Sequence, residues 1–359
     1  MILNLPAYIY YLLSAIVSCI ISLFIVKRII YLAGKNKIYD KPDDIRKFHG
    51  SQIPSLGGIG IFAGYLVFLM LFLFLQPHYL NYLPLASAIL FFTGIYDDLK
   101  NLSPLKKLIA QLAASFIIIY FGDIRIISFY GFLGIDMIPY WLSIGITTFL
   151  CTFFINVFNF IDGIDGLACV IAILYTSVLG VLFAIMNEPY LGILQFCIAG
   201  ATLGLLFYNK SPAKIYMGDT GSMLLGFNIF IFALILLLAY PEAEKYTTIG
   251  RVLHPPLGAV LILFTLIALP VFDALRVFAL RISKGISPLK ADRSHFHYYL
   301  LDSGFTHSQA VLILFIDNVF LLSLVYILQD LNPYLLVALV LIYSFFMLYL
   351  ILKIRKRRV

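Results

Sequence analysis

Charge is scarce in this sequence. Only 12% of its 359 residues are Asp, Glu, Lys or Arg, against 62% that are hydrophobic, and a soluble domain carries roughly twice that charged share. The shortage excludes a chain whose main body folds in water. Cysteine occurs four times. Cys19, Cys151, Cys169 and Cys197 lie inside or at the ends of apolar blocks, without zinc-type or disulfide-type spacing. They read as small apolar side chains. A Gly-rich loop of the Walker type is missing, which removes the sequence ground for ATP-driven chemistry. No internal repeat or charge-rich linker divides the chain, so residues 1–359 read as one domain.

What is abundant is apolar sequence in blocks of about 20 residues, the length of a helix that crosses ~30 Å of hydrocarbon. The blocks lack the alternation of barrel strands, and backbone groups in lipid must be satisfied within the segment. An all-α polytopic membrane protein follows, with about eleven spans. Their approximate limits are 8–30, 56–76, 79–96, 105–121, 138–158, 166–186, 190–208, 221–240, 257–282, 308–328 and 333–352. The first block reads as a retained span, because Lys27-Arg28 follows it where a signal peptide would place small cleavage-site residues.

Basic residues set the expected orientation. On the eleven-span reading, 22 of the 25 Lys and Arg fall on one side, leaving Arg125, Lys245 and Arg251 on the other. The positive-inside rule then puts the N-terminus outside and the C-terminus in the cytoplasm. The net charge of +7 suits anionic lipid headgroups and anionic substrates. No motif points to nucleic acid.

Five polar clusters gather on the expected cytoplasmic side: 46–58, 94–107, 156–168, 208–222 and 287–300. Acidic groups at span ends are costly unless they face protein, water or a cation, so five clusters on one face predict one assembled site. In "NVFNFIDGIDGLA", Asn156 and Asn159 are helix neighbours, with Asp162 at the next such position. Capping of the next span would use Asp162 or Asp165 but not both, so capping alone does not account for the pair. Asp97 and Asp98 are adjacent carboxylates, which repel and call for a cation or a proton. Asp219 sits in the Gly-flanked turn "MGDTGS". Hard carboxylate oxygens in this number suit Mg²⁺ together with substrate phosphates. Lys107, Arg293, Lys290 and the "HFH" pair His295 and His297 supply a basic rim for phosphate contact or proton transfer. "IPSLGGIG" reads equally as close helix packing or as backbone lining a substrate. Asp273 and Arg276 read as a structural pair, and Asp317 as a buried polar contact within its span. Carboxylates with a metal and a basic rim suit phosphoryl or pyrophosphoryl transfer.

The ordered set "DD" at 97–98, "NVFNFIDGIDGLA", "NKSPAKIYMGDTGS" and "HFH" resembles the polyprenyl-phosphate N-acetylhexosamine-1-phosphate transferase family (glycosyltransferase family 4) over about residues 40–310. The resemblance implies a UDP-linked N-acetylhexosamine as donor and undecaprenyl phosphate as acceptor. It implies UMP and an undecaprenyl-diphospho-sugar as products, Mg²⁺ or Mn²⁺ as cofactor, and a plasma-membrane site facing the cytoplasm. It also admits a homodimer. By position it makes Asp97, Asp98, Asp162, His295 and His297 catalytic and assigns the metal to Asp219 with Asp162. Asn159, Asp165, Asn209, Arg293 and Lys107 then contact substrate. Tyr298 stands where many members have a further histidine. Ile53-Pro54-Ser55, in place of Thr-Pro-Thr, favours the N-acetylglucosamine branch over transfer of phospho-N-acetylmuramoyl-pentapeptide. The rivals from other classes are a cation-coupled transporter and an intramembrane aspartyl protease. The crowding of acids at one end argues against the first. Carboxylates beyond a dyad, and the basic histidine loop, argue against the second.

Overall fold

Each of the eleven apolar blocks contains a helix. A computed structural model of the chain describes residues 6–38, 53–71, 78–129, 131, 134–253, 257–287 and 293–358. Among them the helices are α1 Ala7–Asn36, α2 Gly58–Leu71, α3 Leu83–Lys100, α4 Pro104–Phe121, α5 Tyr140–Ile161, α6 Leu167–Ile185, α7 Pro189–Asn209, α8 Gly218–Tyr246, α9 Ile249–Val252, α10 Leu257–Ser283, α11 Phe296–Asp302, α12 His307–Ile327 and α13 Pro333–Arg358. No strand occurs among the described residues, where one isolated bridge joins Ser128 to Met137. Nine helices among the described residues are long and apolar enough to cross a membrane, and α2 is a shorter apolar helix. Residues 46–52 and 288–292 of the expected polar clusters, Lys290 among them, lie outside the described residues.

The bundle is built around α7 and α8, whose side chains are mostly enclosed, while α1 and α13 keep most of their surface outward. Apolar faces cannot drive this packing in lipid, where both sides are equally oily; close backbone approach does. Gly200 of α7 shows this. A Cβ there would run into the Ala15 carbonyl oxygen of α1 and lie 2.7 Å from its carbonyl carbon. Buried hydroxyls complete the seam, with Ser14 Oγ donating to Ile193 O at 3.4 Å and Ser18 Oγ to Gly64 O at 3.3 Å.

Two polar pairs inside the bundle join different helices. Tyr175 donates to Asn318 Oδ1 at 2.6 Å, and the Tyr343 hydroxyl donates to Asp317. This supplies the partner that the sequence left open for Asp317. The start of α1 lies beside the start of α7 through Ser14 and Ile193. Arg355, near the end of α13, reaches Asp302 at the close of α11. Helix α1 therefore starts at one end of the bundle and α13 finishes at the other.

Candidate active site

The finishing end is where the polar clusters meet. Its centre is the N-terminus of α8. Gly218 has φ +73°, a left-handed conformation that glycine adopts without penalty. It turns the chain so that Asp219 and Thr220 open the helix with backbone N–H groups unsatisfied by any preceding turn. Asp98, from the last turn of α3, accepts those groups. Its Oδ1 takes the Asp219 N–H at 2.8 Å, and its Oδ2 takes the Thr220 N–H at 3.1 Å and the Thr220 hydroxyl at 2.6 Å. Asp98 is thus an N-cap supplied by another helix, favoured by the positive end of the helix dipole. Gly94, one turn earlier in α3, permits the approach. A Cβ there would sit 2.6 Å from Thr220 N.

Around this joint stand the other groups. Asp97 Oδ1 accepts the Leu102 N–H at 2.6 Å, and its Oδ2 pairs with Lys107 Nζ at 3.0 Å. The same ammonium is ion-paired with Asp219 Oδ2. Asn159 Nδ2 reaches Asp219 Oδ1 and Ser222 Oγ, both at 2.8 Å. Asp219 Oδ2 is buried against the Lys107 ammonium. One oxygen from each of Asp97, Asp98 and Asp219 lies within 4.8 Å of the others, a spacing that a divalent ion can bridge.

Several expectations are corrected here. Asp162 is not part of that oxygen group. The helix ends at Ile161; the Asp162 N–H still donates to Asn159 O at 3.2 Å, and ψ 51° turns the chain away after Asp162. Asn156 does not share Asn159's task either, since it pairs with Gln111 Oε1 at 2.6 Å. Capping by Asp162 or Asp165 is absent, because Gly166 is the N-cap of α6 and no side chain caps it. "IPSLGGIG" is resolved in favour of packing. The Gly57 and Gly58 N–H groups donate to Tyr216 O and Met217 O at 3.0 and 2.8 Å.

Asn209 is buried. Its Oδ1 accepts the Gly166 N–H at 3.0 Å and its Nδ2 donates to Ile215 O at 2.9 Å, which ties the start of α6 to the loop before α8. Asp165 accepts the Ala213 N–H at 3.2 Å and lies 3.5 Å from His307 Nδ1. Burial alone would raise the Asp165 carboxyl, but the His307 imidazole and the Ala213 N–H outweigh it and hold the group below the usual carboxylate range.

A second group lies across the end of α5. His295 Nδ1 is 2.8 Å from Asp273 Oδ2, and Arg276 holds the other oxygen of Asp273 at 2.6 Å. The expected Asp273–Arg276 pair therefore exists and also orients His295. The His295 and His297 rings stack at 5.6 Å, with Phe160 against His295 at 5.6 Å. A Cβ on Gly163 would run into the His297 ring, so that glycine makes room for it. Arg293 pairs with Asp302 at 2.9 Å and covers the Tyr298 ring at 4.8 Å. Beside these rings a cavity of about 60 Å³ is lined by Phe160, Ile161, Leu269, Asp273, His295 and His297, among others.

The structure thus unites Asp97, Asp98, Asp219, Asn159 and Lys107, and separately His295 with His297. Thr220, Ser222 and His307 were not foreseen. Thr220 and Ser222 stand in "MGDTGS" itself, where hydroxyls at a helix start were the available signal. For His307 the signal was its place after Thr306 of a capping box closed by Gln309.

A sequence model described as glycosyl transferase family 4 matches residues 80–237, a stretch that holds the Asp97, Asp98 and Asp219 group but not the histidines. A probable undecaprenyl-phosphate N-acetylglucosaminyl 1-phosphate transferase of Bacillus subtilis (strain 168) is 29% identical over 84% of this chain and 80% of its own length. The undecaprenyl-phosphate alpha-N-acetylglucosaminyl 1-phosphate transferase of Escherichia coli (strain K12) is 30% identical over 87% of this chain and 82% of its own. The protein of that name from Yersinia pestis is 28% identical over 81% and 76%.

Proposed function

Because this chain belongs to glycosyl transferase family 4, we propose that it transfers N-acetylglucosamine 1-phosphate from UDP-N-acetylglucosamine to undecaprenyl phosphate, releasing UMP. A phosphate oxygen of the lipid attacks the phosphorus that bears the sugar. The bond from that phosphorus to the oxygen of the UMP phosphate breaks, and UMP leaves with the electron pair. One diphosphate linkage is lost and one is made, so the step needs no external energy source. The observation that carries this reading is the meeting of Asp97, Asp98 and Asp219 with Lys107 at a single helix start.

The residues fit a divalent metal. They offer three carboxylates of hard oxygen, one oxygen of each within 4.8 Å of the others, and a single ammonium to answer them. Mg²⁺, when bound there, would neutralise charge that develops on the diphosphate oxygens. Asp97 and Asp219 are its expected ligands. Asp98 fixes the helix start that carries Asp219, and Asn159 holds the remaining Asp219 oxygen in place. Lys107 and the His295–His297 pair are the candidate phosphate contacts, with His295 oriented by Asp273.

The 22 basic residues on one side support a cytoplasmic site in a bacterial plasma membrane crossed about eleven times, with the N-terminus outside. A soluble nucleotide sugar and a lipid phosphate meet at that surface, as the first membrane step of a cell-surface glycan. Purified protein incubated with undecaprenyl phosphate, Mg²⁺ and a panel of UDP-sugars tests the proposal. UMP release with UDP-N-acetylglucosamine is expected. Turnover confined to UDP-N-acetylmuramoyl-pentapeptide would move the chain to the other branch, and no UMP release with any donor would end the reading.

A further inference from the structure

Lys107 occupies an unusual position for a lysine. It lies in the first turn of α4, where the helix dipole disfavours a cation. The carboxylates of Asp97 and Asp219 offset that cost, since its ammonium is ion-paired with both. Asp219 Oδ2 is buried, and the ammonium is the cation that answers its charge. Two of the three clustered carboxylates share this one ammonium, which therefore answers only part of the cluster's charge.

A divalent ion bound to Asp219 Oδ2 would need the space in which Nζ stands. Two cations against one oxygen also repel each other strongly in a partly buried site. We propose that Lys107 and the divalent cation are mutually exclusive partners of Asp97 and Asp219. The ammonium acts as an internal counter-ion that keeps the two carboxylates together, and metal binding displaces it. The lysine stem carries four flexible carbons, so the released ammonium can swing towards the phosphates that the metal brings. This deepens the proposed function and rests on its metal reading.

The probe is Mn²⁺ alone, titrated into the purified full-length protein and followed by the paramagnetic resonance of the free ion, with no substrate present. Lys107→Met should bind Mn²⁺ about tenfold tighter or more, because a unit charge a few ångströms from the ion is gone. Equal or weaker binding by the variant overturns the inference alone. Absence of saturable binding to both proteins overturns the metal reading and the inference with it. Should Lys107→Met not fold, the wild type still decides. Reductive methylation of Lys107, read by mass spectrometry, should rise several-fold on saturation with Mn²⁺. Unchanged or reduced labelling overturns the displacement.

Discussion

Gly94→Ala adds one carbon at the closest approach between α3 and α8. The new Cβ would meet Thr220 Cα, Thr220 N at 2.6 Å and Asp219 C at 2.9 Å. All three are backbone atoms and cannot rotate aside. Ordinary contact begins near 3.4 Å, so relief of the nitrogen contact alone needs a separation of about 0.8 Å. The same movement stretches the 2.8 Å bond from the Asp219 N–H to Asp98 to about 3.6 Å, which is no longer a hydrogen bond. Overpacking of this kind costs about 1–3 kcal/mol. A misplacement near 1 Å in a catalytic array costs about 10²-fold in rate. The assay is UMP release normalised to folded protein, with the melting temperature in detergent measured alongside. Gly145→Ala is the control, since a Cβ there meets nothing within 4 Å; it should keep both activity and stability. If Gly94→Ala retains activity within about threefold of wild type, the tight α3–α8 joint is not what positions the site.

Thr220→Val keeps the shape but removes the hydroxyl that donates to Asp98 at 2.6 Å. A hydrogen bond to a charged group is worth about 1.5–3 kcal/mol, so the melting temperature should fall and turnover drop about tenfold; an unchanged melting temperature would refute the capping role. Asp219→Asn should reduce turnover by at least about 10²-fold with the protein still folded, and near-normal UMP release would remove Asp219 from the site. His307→Ala tests the Asp165 pair. A carboxyl held below its usual range adds stability above its unfolded value near pH 4, and that stability is lost as pH falls through the depressed value. The stability gap between wild type and variant should therefore shrink as pH falls below about 4; a gap that stays undiminished there would contradict the pairing.

The helices were legible because a membrane span advertises itself in composition. Blocks such as 166–186 and 190–208 became α6 Leu167–Ile185 and α7 Pro189–Asn209 with shifts of a residue. The gathering of Asp97, Asp98 and Asp219 was legible for a related reason, since acids at span ends on one side have few places to go. Their individual partners were not. Asp98 and Thr220 are 122 residues apart, and nothing local in "YDDLK" announces that one carboxylate will cap a distant helix. Asn209 looked like a ligand-facing amide, yet both ends of its side chain are used within the protein. Arg293 looked like a phosphate contact, yet Asp302, nine residues on, holds it. Asp162 was expected with Asp219, yet the clustered oxygens are those of Asp97, Asp98 and Asp219, and Asp162 stands one residue past the end of its helix.

The position of the site at helix ends follows from the same physics that builds the bundle. A helix start leaves N–H groups without partners, and within or near lipid each is costly until something accepts it. At α8 the acceptor is a carboxylate from α3. Satisfying the backbone therefore fixes one acid beside the acid that opens the helix, and the resulting crowd of charge must be answered by a cation. Lys107 answers part of it, and a bound metal would answer it in the ammonium's place. The demand for backbone satisfaction and the demand for a metal-competent cluster are met by the same side chains. Loss of activity on changing Asp98 alone is consequently no evidence of proton transfer by Asp98. Only a variant such as Thr220→Val, which weakens the joint while leaving the three carboxylates in the chain, separates holding the site together from acting within it.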